Sequence, residues 1–188
     1  MSHPLITLNT LLPLVPLCIL GINYIQLIYT YDIKYVLFIF FYYFGDLLNY
    51  IFKRISNKLL DYELTKRPKN YGTFTVNGDL YDIGTYLIPR IYTKAKLNKP
   101  SVTYGFPSGH SQTMITFATF ITLYLLYEKD FDLKDLPKYI LPWILAFAVI
   151  WQRVFSKCHS VLQVSVGSII GIIIGYAFFR IFVLFDEL

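Results

Sequence analysis

Apolar residues occur along this chain in five long runs, which are separated by short polar connections and one long polar segment. A membrane-spanning helix requires about 20 mostly apolar residues, and each run reaches or approaches that length. The runs extend over Leu5–Tyr29, Tyr35–Phe52, Ser111–Tyr127, Leu136–Phe155 and Val161–Phe185. The pattern predicts an all-α fold, a polytopic membrane helix bundle of about five transmembrane helices, with residues 1–188 forming a single membrane-embedded domain.

Two runs contain residues that alter a regular helix. Pro13 and Pro16 interrupt the first run, and proline removes a backbone donor and clashes with the preceding turn, so we expect a kink or a re-entrant segment there. Gly167, Gly171 and Gly175 recur at four-residue spacing in the last run. Such a stripe of small residues allows two helices to approach closely, and packing is the expected role.

Composition supports a membrane setting. Hydrophobic residues make up 55% of the chain and charged residues only 15%, whereas a soluble domain carries about a quarter charged residues. The net charge of +5 sits between the apolar runs and not along a helix face, so we expect an anionic ligand or membrane surface and no nucleic-acid partner. Cys18 and Cys158 are too few to form a disulfide framework or a metal site.

Three polar clusters lie where apolar runs begin or end: Lys66–Pro68, Pro107–Ser111 and Arg153–Gln163. A long basic and aromatic segment, about residues 53–106, contains the first cluster and leads to the second. The third cluster follows after one further crossing out and back. Counting the crossings therefore places all three clusters on the same side of the membrane.

The residue types in these clusters suit a phosphoryl group. Its transition state spreads negative charge over the equatorial oxygens, so well-placed donors are the main requirement. Arg67 and Arg153 carry planar guanidinium groups that can bind phosphate oxygens in a bidentate manner. Ser108 and Gly109 lie at the expected start of a helix, where free N–H groups and the helix dipole favour an anion.

His110 and His159 offer one general acid and one nucleophile. With these histidines the clusters resemble the type-2 phosphatidic-acid phosphatase superfamily, which also contains vanadium haloperoxidases. Its signature reads Lys-x6-Arg-Pro, Pro-Ser-Gly-His and Ser-Arg-x5-His-x3-Asp. This chain has Arg67-Pro68, the complete second motif over residues 107–110, and Arg153 with His159 at the family spacing.

The resemblance implies a role for each matching residue. His159 would attack phosphorus and form a phosphohistidine, and His110 would protonate the leaving group. The residues implied to hold the phosphate are Arg67, Arg153, Ser108 and Gly109. The resemblance implies no metal and no cofactor.

The chain departs from the signature at three positions. Gln152 stands where the family has serine, and Leu60 stands at the position of the family lysine. Lys58 and Lys66 are the alternatives for that lysine, and Lys66, beside Arg67, is taken as a phosphate-binding candidate. The third departure is Gln163 in place of the aspartate.

Gln163 lies four residues after His159, so on a helix the two side chains share one face. The Gln163 amide oxygen can accept the proton of one ring nitrogen and select the tautomer, although it cannot stabilise an imidazolium as a carboxylate does. Gln163-Val164 also resembles the dolichyl-diphosphatase branch of the superfamily, as does His110-Ser111-Gln112. The resemblance therefore implies a polyprenyl or dolichyl diphosphate substrate.

The resulting hypothesis is a metal-independent membrane phosphatase that acts on a phosphorylated lipid. A phosphatidate or other phosphomonoester phosphatase is the first alternative. A catalytically weak membrane protein that binds phosphorylated lipids is the second. By analogy with the family, the active site is expected on the lumenal or extracytoplasmic side, although the positive-inside rule applied to the lysine-rich segment favours the cytosol.

Overall fold

The computed structural model describes residues 4–69, 72–76, 79–82, 93–94 and 104–186, and these residues form a bundle of long helices. The helices are α1 (Pro4–Leu11), α2 (Val15–Thr30), α3 (Ile33–Leu59), α4 (Tyr62–Thr65), α5 (Gly109–Glu128), α6 (Leu136–Phe155) and α7 (Val161–Asp186). Within the long polar segment lies a small antiparallel sheet of β1 (Thr73–Val76), β2 (Asp79–Asp82) and β3 (Thr93–Lys94), in the order β1-β2-β3. Each of the five predicted runs is helical, which confirms the all-α bundle, and the sheet is a minor addition to it.

Three helical stretches of the described chain are long and apolar enough to cross a membrane, judged by length and composition. They are Leu8–Thr30, Ile33–Leu59 and Val161–Asp186. Helices α5 and α6, of 20 residues each, complete the bundle. Every backbone group must be hydrogen-bonded within the hydrocarbon region, and uninterrupted helices meet that requirement internally.

The α-helix of the first run is interrupted at the position of its prolines. Helix α1 ends at Leu11, the residues Leu12–Leu14 form one 3₁₀ turn, and α2 continues from Val15. Because Pro16 has no N–H, it cannot donate to the Pro13 carbonyl in the tighter i→i+3 pattern.

Helix α5 occupies the centre of the bundle. On one side, Met114 packs into a buried apolar cluster with Ala146 and Val149 of α6. On the other side, Phe120 contacts Phe41 of α3, which stacks on Phe178 of α7 at a ring-centroid distance of 4.3 Å. The N-terminus of α5 carries the second polar cluster, so the packing of α5 positions part of the site.

The glycine stripe of α7 lies against α5. A Cβ atom added at Gly171 would stand 2.7 Å from the Gln112 carbonyl oxygen and 2.9 Å from Ile115 Cβ. Added at Gly175, it would stand 2.8 Å from the Thr116 carbonyl oxygen. The Thr116 hydroxyl in turn donates to the Gly171 carbonyl at 3.1 Å. The predicted packing role of the stripe is thus confirmed, since a side chain at these glycines would separate the helices.

This contact predicts that Gly171→Ala destabilises the protein. The added methyl group must displace α5 backbone, and overpacking of this kind costs about 1–3 kcal/mol. Thermal unfolding in detergent, followed by circular dichroism, should show a lower melting temperature. The matched control is Gly21→Ala on α2, where an added Cβ meets nothing within 4 Å. The control should be neutral or slightly stabilising, because alanine favours a helix over glycine by about 1 kcal/mol. Equal melting temperatures for the two variants would contradict the close-packing account.

Candidate active site

The turn between α6 and α7 sets the spacing between Arg153 and His159. Helix α6 ends in a Schellman motif, in which the Cys158 N–H donates to the Arg153 carbonyl at 2.9 Å and the Lys157 N–H donates to the Val154 carbonyl at 2.9 Å. Lys157 adopts the left-handed conformation that this motif requires, with φ of 56°. The arginine therefore lies in the last helical turn and the histidine directly after the cap. The five intervening residues of the sequence pattern form this compact turn.

His159 is buried, and both of its ring nitrogens have partners. Nδ1 lies 2.9 Å from the carbonyl oxygen of Gly105, which can only accept a hydrogen bond. Nε2 lies 3.3 Å from Nη1 of Arg67, which can only donate. The two contacts are consistent only with a proton on Nδ1 and a lone pair on Nε2. A lone pair on Nε2 is what a nucleophilic imidazole requires.

The surroundings of His159 favour its neutral form. Burial, followed by the positive charges of Arg67 and Arg153, holds the pKa of the imidazole well below its usual range. The ring is therefore uncharged at neutral pH. An anion bound between the arginines would offset their charges.

Arg67 and Arg153 both lie at this centre, as the sequence predicts. Nη1 of Arg67 also donates to the Cys158 carbonyl at 2.8 Å, which ties the first cluster to the third. Arg153 is only 4% exposed, and its Nε atom has no hydrogen-bond partner among the described residues. A buried donor without a partner costs roughly 1–3 kcal/mol. An oxyanion is the ligand that would satisfy it.

The second cluster begins α5, and its members differ in what they offer. Ser108 is fully buried, its N–H donates to the Gln163 carbonyl at 3.0 Å, and its hydroxyl accepts from the Ser111 N–H as the helix cap. Ser108 is therefore occupied in holding the loop and capping the helix. The first N–H groups of a helix have no acceptor within it, so those of Gly109 and His110 are the donors that α5 presents to an anion.

His110 contacts the N-terminal segment. Its Nε2 lies 3.3 Å from the carbonyl oxygen of Pro13, which is in the 3₁₀ turn. The charges of Arg153, Lys53 and Arg67 act on the His110 ring, and His110 in turn acts on His159. The structure therefore brings the two predicted histidines into one electrostatic environment.

The side chain of Lys66, a predicted phosphate ligand, contacts residues of α4. Its ammonium forms an ion pair with Glu63, three residues earlier at α4, and lies over the Tyr62 ring. The backbone carbonyl of Lys66 accepts a hydrogen bond from the Gln163 side-chain amide at 2.7 Å. Lys58, the other alternative, is exposed in the last turn of α3.

Lys53 of α3 is the cation that sequence reasoning missed. Its charge acts on both histidines and on both site arginines. One turn earlier on the same face, Asn49 donates to Gln112 of α5 at 2.9 Å and lies against Gly109. Lys53 thus stands about two helical turns before Leu60, the position that the family spacing indicates. The signal available in the sequence was its spacing of four residues from Asn49 on one helix face.

Gln163 contacts all three clusters. Its backbone carbonyl accepts a hydrogen bond from the Ser108 N–H. Its side-chain amide nitrogen donates to the backbone carbonyls of Leu64 and Lys66 at 3.1 and 2.7 Å. Its side-chain amide oxygen lies 3.3 Å from His159 Nδ1. The structure therefore places Gln163 beside His159, as predicted. The Gly105 carbonyl is nearer to the same nitrogen than the Gln163 oxygen is. Among the described residues, no group of three or more His, Cys, Asp or Glu side chains lies together as ligands for a metal ion.

Residues 34–186, which include all three clusters, match the PAP2 superfamily. The chain belongs to this superfamily. With three helices of membrane-spanning length and composition, this PAP2 member is an integral membrane protein.

The curated relatives reported next are named either as dolichyldiphosphatases or as a lipid phosphate phosphatase. The chain is 38% identical to dolichyldiphosphatase 1 of Dictyostelium discoideum, over 42% of this chain and 36% of the relative. It is 35% identical to lipid phosphate phosphatase gamma of Arabidopsis thaliana, over 41% of this chain and 35% of the relative. It is 28% identical to the dolichyldiphosphatase of Saccharomyces cerevisiae, over 77% of this chain and 52% of the relative. The matches thus span between about a third and a half of these relatives, and no solved structure matches the chain.

Because cations cluster at the site, we expect bound phosphate to stabilise the folded protein, and we expect Lys53 to contribute to phosphate binding. Inorganic phosphate should raise the melting temperature, since a ligand of the folded state stabilises it by about 2.7 kcal/mol at a hundredfold excess over Kd. In Lys53→Met we expect phosphate affinity to fall about tenfold to a hundredfold, the loss of one charged hydrogen bond. Without phosphate, this variant should melt at a higher temperature than the wild type, because one repelling charge is gone.

Lys58→Met provides the matched control, because it removes an exposed lysine from the same helix. It should leave both the phosphate affinity and the melting temperature unchanged. A wild-type phosphate affinity in Lys53→Met would remove Lys53 from the site.

Proposed function

We propose that the protein is a membrane lipid phosphatase that works through a phosphohistidine on His159. The observation that carries the proposal is the buried, neutral His159 ring, whose Nε2 lies 3.3 Å from Arg67 Nη1 and which the charges of Arg153 and Lys53 also influence. A nucleophile next to three cations suits an anionic electrophile, and phosphoryl transfer depends chiefly on such charge stabilisation.

The proposed reaction has two steps. In the first, Nε2 of His159 attacks the terminal phosphorus in line, the bond from phosphorus to the leaving oxygen breaks, and His110, which enters the step as an imidazolium, donates a proton to that oxygen. The proton of His159 remains on Nδ1, hydrogen-bonded to the Gly105 carbonyl oxygen. In the second step water attacks the phosphohistidine, His110 accepts the proton of the water, and inorganic phosphate leaves. Arg67, Arg153, Lys53 and the start of α5 hold the equatorial oxygens in both steps.

The substrate that we favour is a polyprenyl or dolichyl diphosphate, which would yield the monophosphorylated lipid. Two of the curated relatives are named as dolichyldiphosphatases, and one of them matches over 77% of this chain. Gln163-Val164 and Gln112 support the same branch. The apolar exterior of the bundle suits a lipid tail that remains in the bilayer while the diphosphate enters the basic site. We place the site on the lumenal face of an endoplasmic-reticulum-type membrane.

The nucleophile is tested by His159→Ala. Phosphate release from a prenyl diphosphate should be lost, because the variant lacks the attacking imidazole nitrogen. Acid-labile, base-stable phosphate should be trapped on the wild-type protein in a rapid quench and should be absent from the variant. His3→Ala, the same change at the one histidine of the sequence outside the three clusters, serves as the control and should turn over at the wild-type rate. Full activity in His159→Ala would refute the mechanism.

The substrate class is tested by comparing kcat/KM on a detergent-solubilised panel. We expect a prenyl diphosphate to be hydrolysed faster than phosphatidate, because its terminal phosphoryl group leaves behind a phosphate monoester and not an alkoxide. A preference for phosphatidate would favour the alternative that the name of the Arabidopsis relative suggests. Binding of both lipids without turnover would favour a phospholipid-binding protein.

A further inference from the structure

The His159 ring has two candidate acceptors for its Nδ1 proton, and they are not equivalent. The Gly105 carbonyl oxygen lies at 2.9 Å and the Gln163 amide oxygen at 3.3 Å. The Gln163 oxygen also accepts from the Ser160 N–H at 3.2 Å. Because the carbonyl is closer and the amide oxygen already has a donor, Gly105 is the principal partner of the ring.

The amide nitrogen of Gln163 is committed to a different contact. It donates to the Leu64 carbonyl at 3.1 Å and to the Lys66 carbonyl at 2.7 Å, both just before Arg67. Both amide protons are therefore used on backbone acceptors of one segment. A carboxylate in the same place could donate to neither carbonyl and would face two oxygens with a negative charge. This environment therefore favours an amide side chain at position 163 over a carboxylate.

Gly105 is held tightly between the same groups. Its N–H donates to the Thr65 carbonyl at 2.7 Å, which joins it to the end of α4. A Cβ atom at Gly105 would stand 2.4 Å from Gln163 Oε1 and 3.1 Å from Arg67 Cγ. A side chain at this position would displace the Gln163 amide from its present place.

We infer that the backbone carbonyl of Gly105 orients the His159 ring, and that Gln163 is a positioning residue. In the family signature an acidic side chain is expected to orient the histidine. Gln163 acts by clamping the segment from Leu64 to Arg67 beside the Gly105 loop and the histidine. Its amide is thus required as an amide, and not as a weaker substitute for a carboxylate. The inference rests on the proposed attack by His159.

The test compares Gln163→Glu with Gln163→Met in the full-length protein. Both variants keep the length of the side chain and lose the two N–H donors, and only the first adds a carboxylate next to His159. We expect kcat on a prenyl diphosphate to fall about tenfold to a hundredfold in both, the usual effect of a misplaced reacting group. If Gln163 were an imperfect carboxylate, Gln163→Glu would equal or exceed the wild type, and the inference would be overturned.

A second measurement reports the orienting group directly. Nitrogen NMR of 15N-histidine-labelled protein, with the His159 signals assigned by their loss in His159→Ala, identifies the tautomer. We expect a protonated Nδ1 and an unprotonated Nε2 in the wild type and in Gln163→Met, because the Gly105 carbonyl remains. A change to the Nε2-protonated tautomer in Gln163→Met would overturn the assignment to Gly105. A change of fold stability alone would not alter the tautomer.

The two proposals fail separately. If the protein does not use His159 as its nucleophile, His159→Ala stays active while the tautomer measurement still reports on Gly105. If the proposed function holds and Gly105 is not the orienting group, His159→Ala is inactive and the tautomer changes in Gln163→Met.

Discussion

The direct contact between α5 and α7 is the constraint on which the site depends. The two helices touch through backbone, since Gly171 and Gly175 present no side chain to α5. The same stripe continues at Gly167, where an added Cβ would stand 2.6 Å from the Ser108 carbonyl oxygen. The start of α5 therefore rests on the first turns of α7. That contact brings the Ser108 N–H to the Gln163 carbonyl and the second cluster to the third.

Positive charge is gathered at this centre among the residues that the structure describes. Arg67, Arg153 and Lys53 act on a buried histidine, and Asp46, an exposed residue of α3, is the carboxylate among the charges that act on Lys53. Concentrating like charges in a partly buried site is unfavourable unless an anion completes it. The arrangement thus has the electrostatic character of a site built for an anionic ligand. It also keeps His159 neutral, which a nucleophile requires.

Backbone carbonyls do much of the positioning that side chains perform elsewhere. The Pro13 carbonyl holds His110, the Cys158 carbonyl holds Arg67, and the Gly105 carbonyl holds the His159 ring. Each of these carbonyls lies in a turn or loop and not within a regular helix. The 3₁₀ turn, the helix cap and the loop at Gly105 therefore each contribute a backbone carbonyl to the site.

The sequence alone determined the helices and the main members of the site. Apolar runs of membrane length have few alternatives to helix, so four of the five segments were predicted to within two residues. Helix α3 differs, because it continues to Leu59, seven residues beyond the predicted end at Phe52 and into the predicted loop. Helix-end clusters with Arg67, His110, Arg153 and His159 followed from motif spacing, which local turns such as the Schellman cap preserve. The glycine stripe predicted close packing, because its period matches one face of a helix.

Tertiary structure alone decided how the motifs meet. Asn49, on the same face of α3 as Lys53, contacts the start of α5. The sequence places Lys53 on that face but does not show which helix the face contacts. The Lys66 ammonium pairs with Glu63, and the Ser108 hydroxyl caps α5. Gln163 suggested an orienting oxygen from its position on the helix, yet its amide protons reach carbonyls about 100 residues away in the sequence. Hydrogen bonds between distant segments depend on where the whole chain places its backbone, and a linear pattern does not carry that information.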